Sequence, residues 1–481
     1  MNPEAPGGDS ADRERVHLPI AGAADPSTRK SSLRRDGTRV FVHPADVTGR
    51  FHKARRLIFA LLIGVWIALP MWKIKGHPAL FLDITHRTFF MFGATFNAQD
   101  AWLLFFLLTG VAFGLAFLTA FFGRVWCGYA CPQTVFLDGL FRVVERWIDG
   151  PATTRSRLDA APWDAGKLLR RLAKHACYLA LSFALAHMFL AYFVTFPGLF
   201  RMMRGSPGAH PEAFGWAVAV TLLLYGNFAF FREQLCLFVC PYGRLQSVLI
   251  DAHTVNVYYD STRGEPRGKA KDASAGACVD CFRCVAVCPT GIDIRDGLQL
   301  DCIACSACVD ACDEVMDKLD RPRGLVRYAS QEELRGGTTR WLRPRAYVYF
   351  ALGIAGICAS TLSASRHTEF EANVLRPRGA SFVVDRVATV PVVRNSFEVH
   401  LVNKDSFART FDLTAPSTPD VTFALPMARV TLPPGESLSV PLIVTTPLSA
   451  FHGARTLTLA ITPEDRVSER REVSLTLLGP L

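Results

Sequence analysis

The chain has 481 residues, of which 50% are apolar and 20% charged, against roughly 25% charged in an average soluble domain. That balance excludes a disordered chain, and apolar runs near the roughly 20 residues that span a bilayer indicate a membrane protein. Lys and Arg number 53 against 43 Asp and Glu, a net +10, which fits basic loops kept on one side of a membrane better than nucleic-acid binding.

Residues 1–56 are polar, rich in Gly, Pro, Ser and Arg, and lack the apolar core of a signal peptide. They are expected to form a cytoplasmic arm. Apolar runs follow at 57–72, 101–122, 176–196, 214–231 and 346–362, predicting five spans. The first and last are short, and Arg55, Arg56, Arg343 and Arg345 beside them can snorkel. Residues 123–173 carry eight Lys and Arg, whereas 73–100 carry three and 197–213 two. This bias places the N-terminus, the middle loop and the segment after the fourth span inside, and five spans put the C-terminus outside, in the periplasm of a bacterial cell.

Beyond the fifth span the pattern changes to short alternating runs at 397–402, 428–432, 437–444, 455–461 and 472–477, punctuated by turns such as Pro433-Pro434-Gly435. It predicts an immunoglobulin-like β-sandwich without a disulfide, because this region holds no Cys. The fold class is thus a multi-span α-helical membrane protein with an inserted bacterial-type two-cluster ferredoxin domain and a C-terminal immunoglobulin-like β-sandwich. Its expected parts are the arm 1–56, a four-span domain 57–250, a cytoplasmic ferredoxin domain 251–340, a fifth helix 341–365 and a periplasmic domain 366–481.

The ferredoxin expectation rests on cysteine spacing. Cys278, Cys281, Cys284 and Cys288 are matched by Cys302, Cys305, Cys308 and Cys312. Three thiolates at this spacing hold three corners of an iron-sulfur cube, and the fourth reaches the other cube. The pattern assigns Cys278, Cys281, Cys284 and Cys312 to one [4Fe-4S] cluster and Cys302, Cys305, Cys308 and Cys288 to a second. A lone Cys-x2-Cys commonly binds zinc, but two complete halves favour iron-sulfur. Asp313 stands where a Pro is usual after the last cysteine, which bears on loop shape.

A second repeat lies at the membrane surface. Phe121-Phe122, Cys127, Cys131 and Pro132 recur 109 residues later as Phe230-Phe231, Cys236, Cys240 and Pro241, suggesting two parallel repeats of two spans. Each proline disfavours an α conformation at the preceding cysteine, so each pair is expected where a helix ends. Four soft thiols then gather on the cytoplasmic face, suited to Cu(I) and able to hold zinc or iron-sulfur, or else serve only as small buried residues. Among other candidates, His187 lies mid-span, where an ionisable group is a functional hypothesis or bonds a neighbouring helix. Cys177 and Cys358 read as packing residues, and Arg321, Arg323 and Arg327 as cytoplasmic charge bias or a docking surface for an acidic donor.

Taken with Gly49-Arg50-Phe51, Cys127-Gly128-Tyr129-Ala130-Cys131-Pro132-Gln133, Cys240-Pro241-Tyr242-Gly243-Arg244, the segment from Cys288 to Gly297, and Asp313 through Gly324, the chain resembles the FixG/RdxA/CcoG family of cytochrome oxidase accessory proteins. The resemblance covers nearly the whole chain and makes Asp313 a family trait. It implies a polyferredoxin of the bacterial inner membrane that helps assemble cbb3-type cytochrome oxidase by reducing Cu(II) to Cu(I). Its cofactors would be two [4Fe-4S] clusters, with copper as the substrate ion. Cys127, Cys131, Cys236 and Cys240 would be the catalytic thiols. Partners would be copper-handling and oxidase assembly proteins and an unidentified cytoplasmic electron donor, with a homodimer left open. The competing reading is a quinol- or quinone-linked subunit feeding a periplasmic reductase, against which the sandwich offers no redox ligand. A third reading is a scaffold that only docks oxidase subunits, against which stand two complete cluster sites.

Overall fold

The computed structural model describes residues 29–30, 33–34 and 41–480, apart from 75, 85–87, 98–100, 273, 366–369, 378, 388–389, 406 and 452. Most of the expected polar arm lies outside the described residues. The chain divides into two compact units, one made of residues 1–66, 113–187 and 210–351, the other of 67–112, 188–209 and 352–481.

Five long helices carry the membrane signal: α1 (Arg50–Ala68), α2 (Ala101–Phe122), α3 (Ala165–Val194), α4 (Pro211–Gly226, continued by a π turn to Phe231) and α5 (Pro344–Ser365). The last four are long and apolar enough to cross a bilayer. Helix α1 is not among them, because Arg50, His52, Lys53, Arg55 and Arg56 occupy its first two turns. Helix α3 begins eleven residues before the apolar run expected from sequence, and Lys174 in this extension bonds Asp149 at 2.7 Å. Its first turns therefore pack on a polar loop.

In the second unit α2 and α5 approach at two glycines. A Cβ at Gly356 would lie 2.9 Å from the Gly110 Cα and 2.9 Å from the Phe106 carbonyl oxygen, so neither position has room for a side chain. Small residues permit such backbone contact where apolar burial gives no driving force between helices in lipid. The segment 73–100, expected as a plain loop, instead forms a three-stranded sheet of Leu80–Asp83, Thr88–Met91 and Ala94–Asn97. Its strands are too short for alternation to show in sequence, and Phe81 packs on Phe90 with ring centroids 5.9 Å apart.

The C-terminal part is a sandwich of two antiparallel sheets. One runs Phe370–Leu375, Val390–Asn403, Ser437–Pro447, Thr422–Ala424, with Val383–Val387 also on the long second strand; the other runs Arg429–Leu432, Arg409–Thr414, Arg455–Pro463, Arg471–Leu477. Alternate residues point inward, so Val399, Leu401, Phe411, Leu442, Leu459 and Leu475 make a fully buried core. Gly435 turns at φ +70° as the Pro-Pro-Gly signal requires.

Candidate metal centres

The cysteine-rich insertion belongs to the first unit and is closed by an antiparallel pair, Asn256–Tyr259 with Val326–Ala329. Its two halves repeat with an offset of 24 residues. In each half the residues flanking the middle cysteine take left-handed backbone: Asp280 and Phe282 around Cys281, Ala304 and Ser306 around Cys305, with φ between 50° and 62°. Non-glycine residues pay roughly 1–2 kcal/mol for this, and the conformation curls amide N–H groups inward; Ala304 N donates to Cys302 Sγ at 3.4 Å. Short helices then start at Arg283 and Ala307.

Cys278, Cys281, Cys284 and Cys312 line one cavity; Cys288, Cys302, Cys305 and Cys308 line another, which Cys284 lines as well. Among the described residues no three His, Cys, Asp or Glu side chains converge to hold a single ion. Zinc would draw its thiolates within about 2.3 Å of one centre, whereas thiols ringing a cavity suit the corners of a cube. Burial pushes Cys302 and Cys312 up to about 12 and Cys308 well above its usual range. Such thiols ionise only beside a compensating cation, which iron supplies. The donor set thus fits a [4Fe-4S] group in each cavity. Arg295, almost fully buried, adds a fixed cation to the first cavity: it pairs with Asp280 and with Asp293 at 2.6 Å and stacks on Phe282 at 4.1 Å.

Asp313 has a structural use. The helix Ala307–Lys318 runs through Cys312, which a following Pro would disfavour, and Asp313 Oδ1 accepts from Gly324 N at 3.0 Å. By contrast Cys288-Pro289 lies in a loop.

The 109-residue repeat is preserved in backbone detail. Cys131 (φ −62°, ψ 126°) and Cys240 (φ −69°, ψ 112°) are both extended caps with Pro at the next position, as the prolines dictate. Cys131 N bonds Trp126 O and Cys240 N bonds Leu235 O, the same step in each copy. The copies also interlock: Asn227 donates to Gln133 Oε1 at 2.7 Å, and Tyr242, the counterpart of Gln133, meets Thr119 Oγ1 at 2.6 Å. Cys127, Cys131, Cys236 and Cys240 come within electrostatic reach of one another. Burial raises Cys127 to about 11 and Cys236 to about 12, while Gln246 Nε2 lies 3.3 Å from Cys127 Sγ and favours its thiolate. Gln246 carries no motif, and sequence reasoning passed over it.

The first cysteine loop rests on the insertion. Gly128 has no room for a Cβ, which would lie 2.6 Å from Ile303 O and 3.0 Å from Cys305 Cα. Arg124 donates to Leu300 O, to Cys302 O at 3.4 Å and to Gly243 O at 3.1 Å, so one guanidinium ties both repeats to a cluster loop. Tyr129 bonds Ser306 at 3.2 Å, and Arg55 of α1 bonds Gly128 O at 2.7 Å.

Behind these loops lies a buried ion network that the sequence did not signal. Arg232 pairs with Glu145 at 2.9 Å, Arg155 with Glu145 at 3.4 Å, and Arg142 with Asp138 at 2.6 Å and Glu233 at 3.4 Å. Burial works to raise the Glu145 carboxyl, yet Arg232 and Lys174 hold it down at about 2. Arg232 adopts φ +53° where its repeat counterpart is Gly123 at φ +55°.

The remaining candidates fall away from these centres. His187 bonds Phe183 O of its own helix at 2.8 Å rather than a neighbouring helix. Cys177 and Cys358 are exposed, not packed, because the helices turn these positions outward. Arg321 brackets Gly276 O and Ala277 O, Arg327 pairs with Asp260 at 2.8 Å and Arg323 with Asp317 at 2.6 Å, so these arginines hold loops together.

Three family models match the chain: a 4Fe-4S dicluster domain over residues 231–331, a 4Fe-4S binding domain over 103–151, and an "IG-like fold at C-terminal of FixG" over 361–480. With the apolar helices, these define a membrane iron-sulfur electron-transfer protein. The chain is 37% identical to the nitrogen fixation protein FixG of Rhizobium meliloti, across 79% of this chain and 80% of that protein. It is 36% identical to protein RdxA of Cereibacter sphaeroides, across 78% and 82%, and 35% identical to RdxB of the same organism, across 86% and 90%. The chain belongs to the FixG/RdxA family.

Proposed function

We propose that the chain carries electrons from the eight insertion cysteines, as ligands of two [4Fe-4S] clusters, to Cys127, Cys131, Cys236 and Cys240, where Cu(II) is bound and reduced to Cu(I) for assembly of a cbb3-type oxidase. The carrying observation is the seat of Gly128 on Ile303–Cys305: the loop between two of the thiols touches the backbone of a cluster-binding loop. A cluster releases one electron and Cu(II) accepts one. Thiolate ligation favours Cu(I) over Cu(II), and a pair of thiols suffices for it, consistent with no three of the four converging on one point. Replacing Cys131 and Cys240 by Ser removes soft ligands at nearly constant volume. Iron content is expected to stay at the parental level while Cu(II) reduction by pre-reduced protein falls; parental reduction with full iron would refute the site.

One observation favours a second reading of the same four thiols. The 4Fe-4S binding domain over residues 103–151 brackets Cys127 and Cys131 but holds only these two cysteines, and Cys236 and Cys240 would complete a third cube. Iron analysis separates the readings, at about eight atoms per chain for two cubes and about twelve for three.

The orientation belongs to the same proposal. The Lys and Arg bias, eight in residues 123–173 against three in 73–100 and two in 197–213, supports it. Counting the apolar later turns of α1 as a fifth span beside the four apolar helices makes the number of crossings odd. The N-terminus and the insertion are then cytoplasmic, and the sandwich is periplasmic, where it serves as a docking module for copper-handling or oxidase assembly proteins.

A further inference from the structure

The first unit holds a groove of about 710 Å³, within the range of small-molecule sites. Part of its lining is apolar, Phe59, Ala60 and Ile63 of α1 with Leu140 and Val143, while Asp46, Arg55, Asp138, Arg142, Arg146 and Arg155 also line it. The apolar residues of α1 among them lie where the helix passes from its basic turns into its apolar ones. Val287 and Pro289, the neighbours of Cys288 on either side, also line the groove. Pro289 lines both this groove and the cavity ringed by Cys288, Cys302, Cys305 and Cys308. A wall one residue thick therefore separates the two spaces. His52 and Arg56 also line the groove, and the structure gives neither side chain a hydrogen bond or ion pair to another described residue.

We propose that this groove binds a lipid-soluble quinol, which supplies the electrons that the clusters pass on. The apolar part of the lining takes an isoprenoid tail, and the part against Pro289 brings the ring close to a cluster cavity. A water-soluble donor would need no apolar lining, and a structural phospholipid would need no cluster behind the headgroup. The quinol loses two electrons and two protons and becomes the quinone. Each of the two cube sites accepts one electron, the nearer one relaying to the farther. One proton passes to the His52 imidazole, which Arg55, Arg56, Asp138 and Asp310 face, the other passes to water, and both reach solvent past Asp46, which lines the groove and is half-exposed. This places one two-electron donor ahead of two one-electron deliveries to copper.

The inference rests on reading the insertion cysteines as cluster ligands, but not on the copper site, so its test omits copper. Full-length protein in phospholipid nanodiscs is photolabelled with an azido-quinone and, separately, mixed anaerobically with decylubiquinol. Label is expected on residues 52–63 and 138–147, also in protein freed of iron, and decylubiquinol is expected to reduce the clusters as read by electron paramagnetic resonance. Ala60→Trp, a change at an exposed helical position, fills the groove. It is expected to cut both labelling and quinol-driven reduction by about tenfold or more, with iron content and dithionite-reducible signal unchanged. His52→Gln is expected to retain the label but slow reduction and flatten its pH profile. Label elsewhere, equal reduction in Ala60→Trp, or a retained phospholipid with quinol inert would overturn the proposal. Missing iron in the parental protein would instead indict the cluster reading, and the labelling arm would still decide the groove.

Discussion

The Cα of Cys305 lies where a side chain on Gly128 would have to go, 3.0 Å from an ideal Cβ. The obstructing atoms are backbone, which cannot rotate aside. Gly128→Ala is therefore expected to push the loop of Cys127 and Cys131 off the cluster loop while replacing none of the twelve cysteines of the two repeats. Pre-reduced protein should then lose about tenfold or more of its Cu(II)-reduction rate, with unchanged iron. An unchanged rate would show that electrons reach copper by another route.

Glu145 and Arg232 supply a stability test with a defined pH window. The Glu145 carboxyl is held at about 2 against its ordinary 4.5, so the folded state prefers the ionised form. Its contribution is complete above about pH 4.5 and disappears as pH falls toward 2. Glu145→Gln leaves Arg232 buried without its main partner and should cost roughly 3–5 kcal/mol near neutral pH. Thermal unfolding of the variant should also lose the part of the acid dependence that Glu145 carries.

The backbone at Arg232 allows a comparison in which glycine outperforms alanine. Both Arg232→Gly and Arg232→Ala lose the ion pair, but only glycine relaxes φ +53°. The glycine variant should be more stable by about 1–2 kcal/mol, reversing the usual order within helices. Chemical or thermal unfolding of the two proteins side by side decides it.

Arg295 places a buried cation beside Cys284. Arg295→Gln removes that charge and leaves Asp280 and Asp293 uncompensated, so the cluster proposed at Cys278, Cys281, Cys284 and Cys312 should become harder to reduce. The shift is expected on the order of 50–100 mV to lower potential, with Arg295→Lys between variant and parent. A redox titration followed by electron paramagnetic resonance reads it, and a shift of the other cluster alone would contradict the assignment.

Topology is tested by a reporter active only in the periplasm, fused after Pro480. Activity is expected, because α1 counted with the four apolar helices puts an odd number of spans between this end and the N-terminus. Activity of a cytoplasm-only reporter there would remove α1 from the spans and move the sandwich inside.

What the sequence determined by itself is what short-range periodicity encodes. The thiol spacings, the apolar run at Ala101–Phe122, the strand repeats of the sandwich and the extended backbone before Pro132 and Pro241 are all set within a few residues of one another. Tertiary structure alone decided how those pieces act on each other. Gly49-Arg50-Phe51 was legible as a motif, but its use lies 258 residues away, where Asp310 accepts from His52 N at 2.7 Å and caps α1 from the ferredoxin helix. A Cβ at Gly49 would strike that same carboxylate, which accounts for the glycine. The seat of Gly128 on Cys305, the partner of Arg232 and the groove behind Pro289 are likewise products of segments far apart in the chain. Residue spacing carries no record of such contacts, because they depend on where the packed helices bring the loops and not on the local conformation of any one of them.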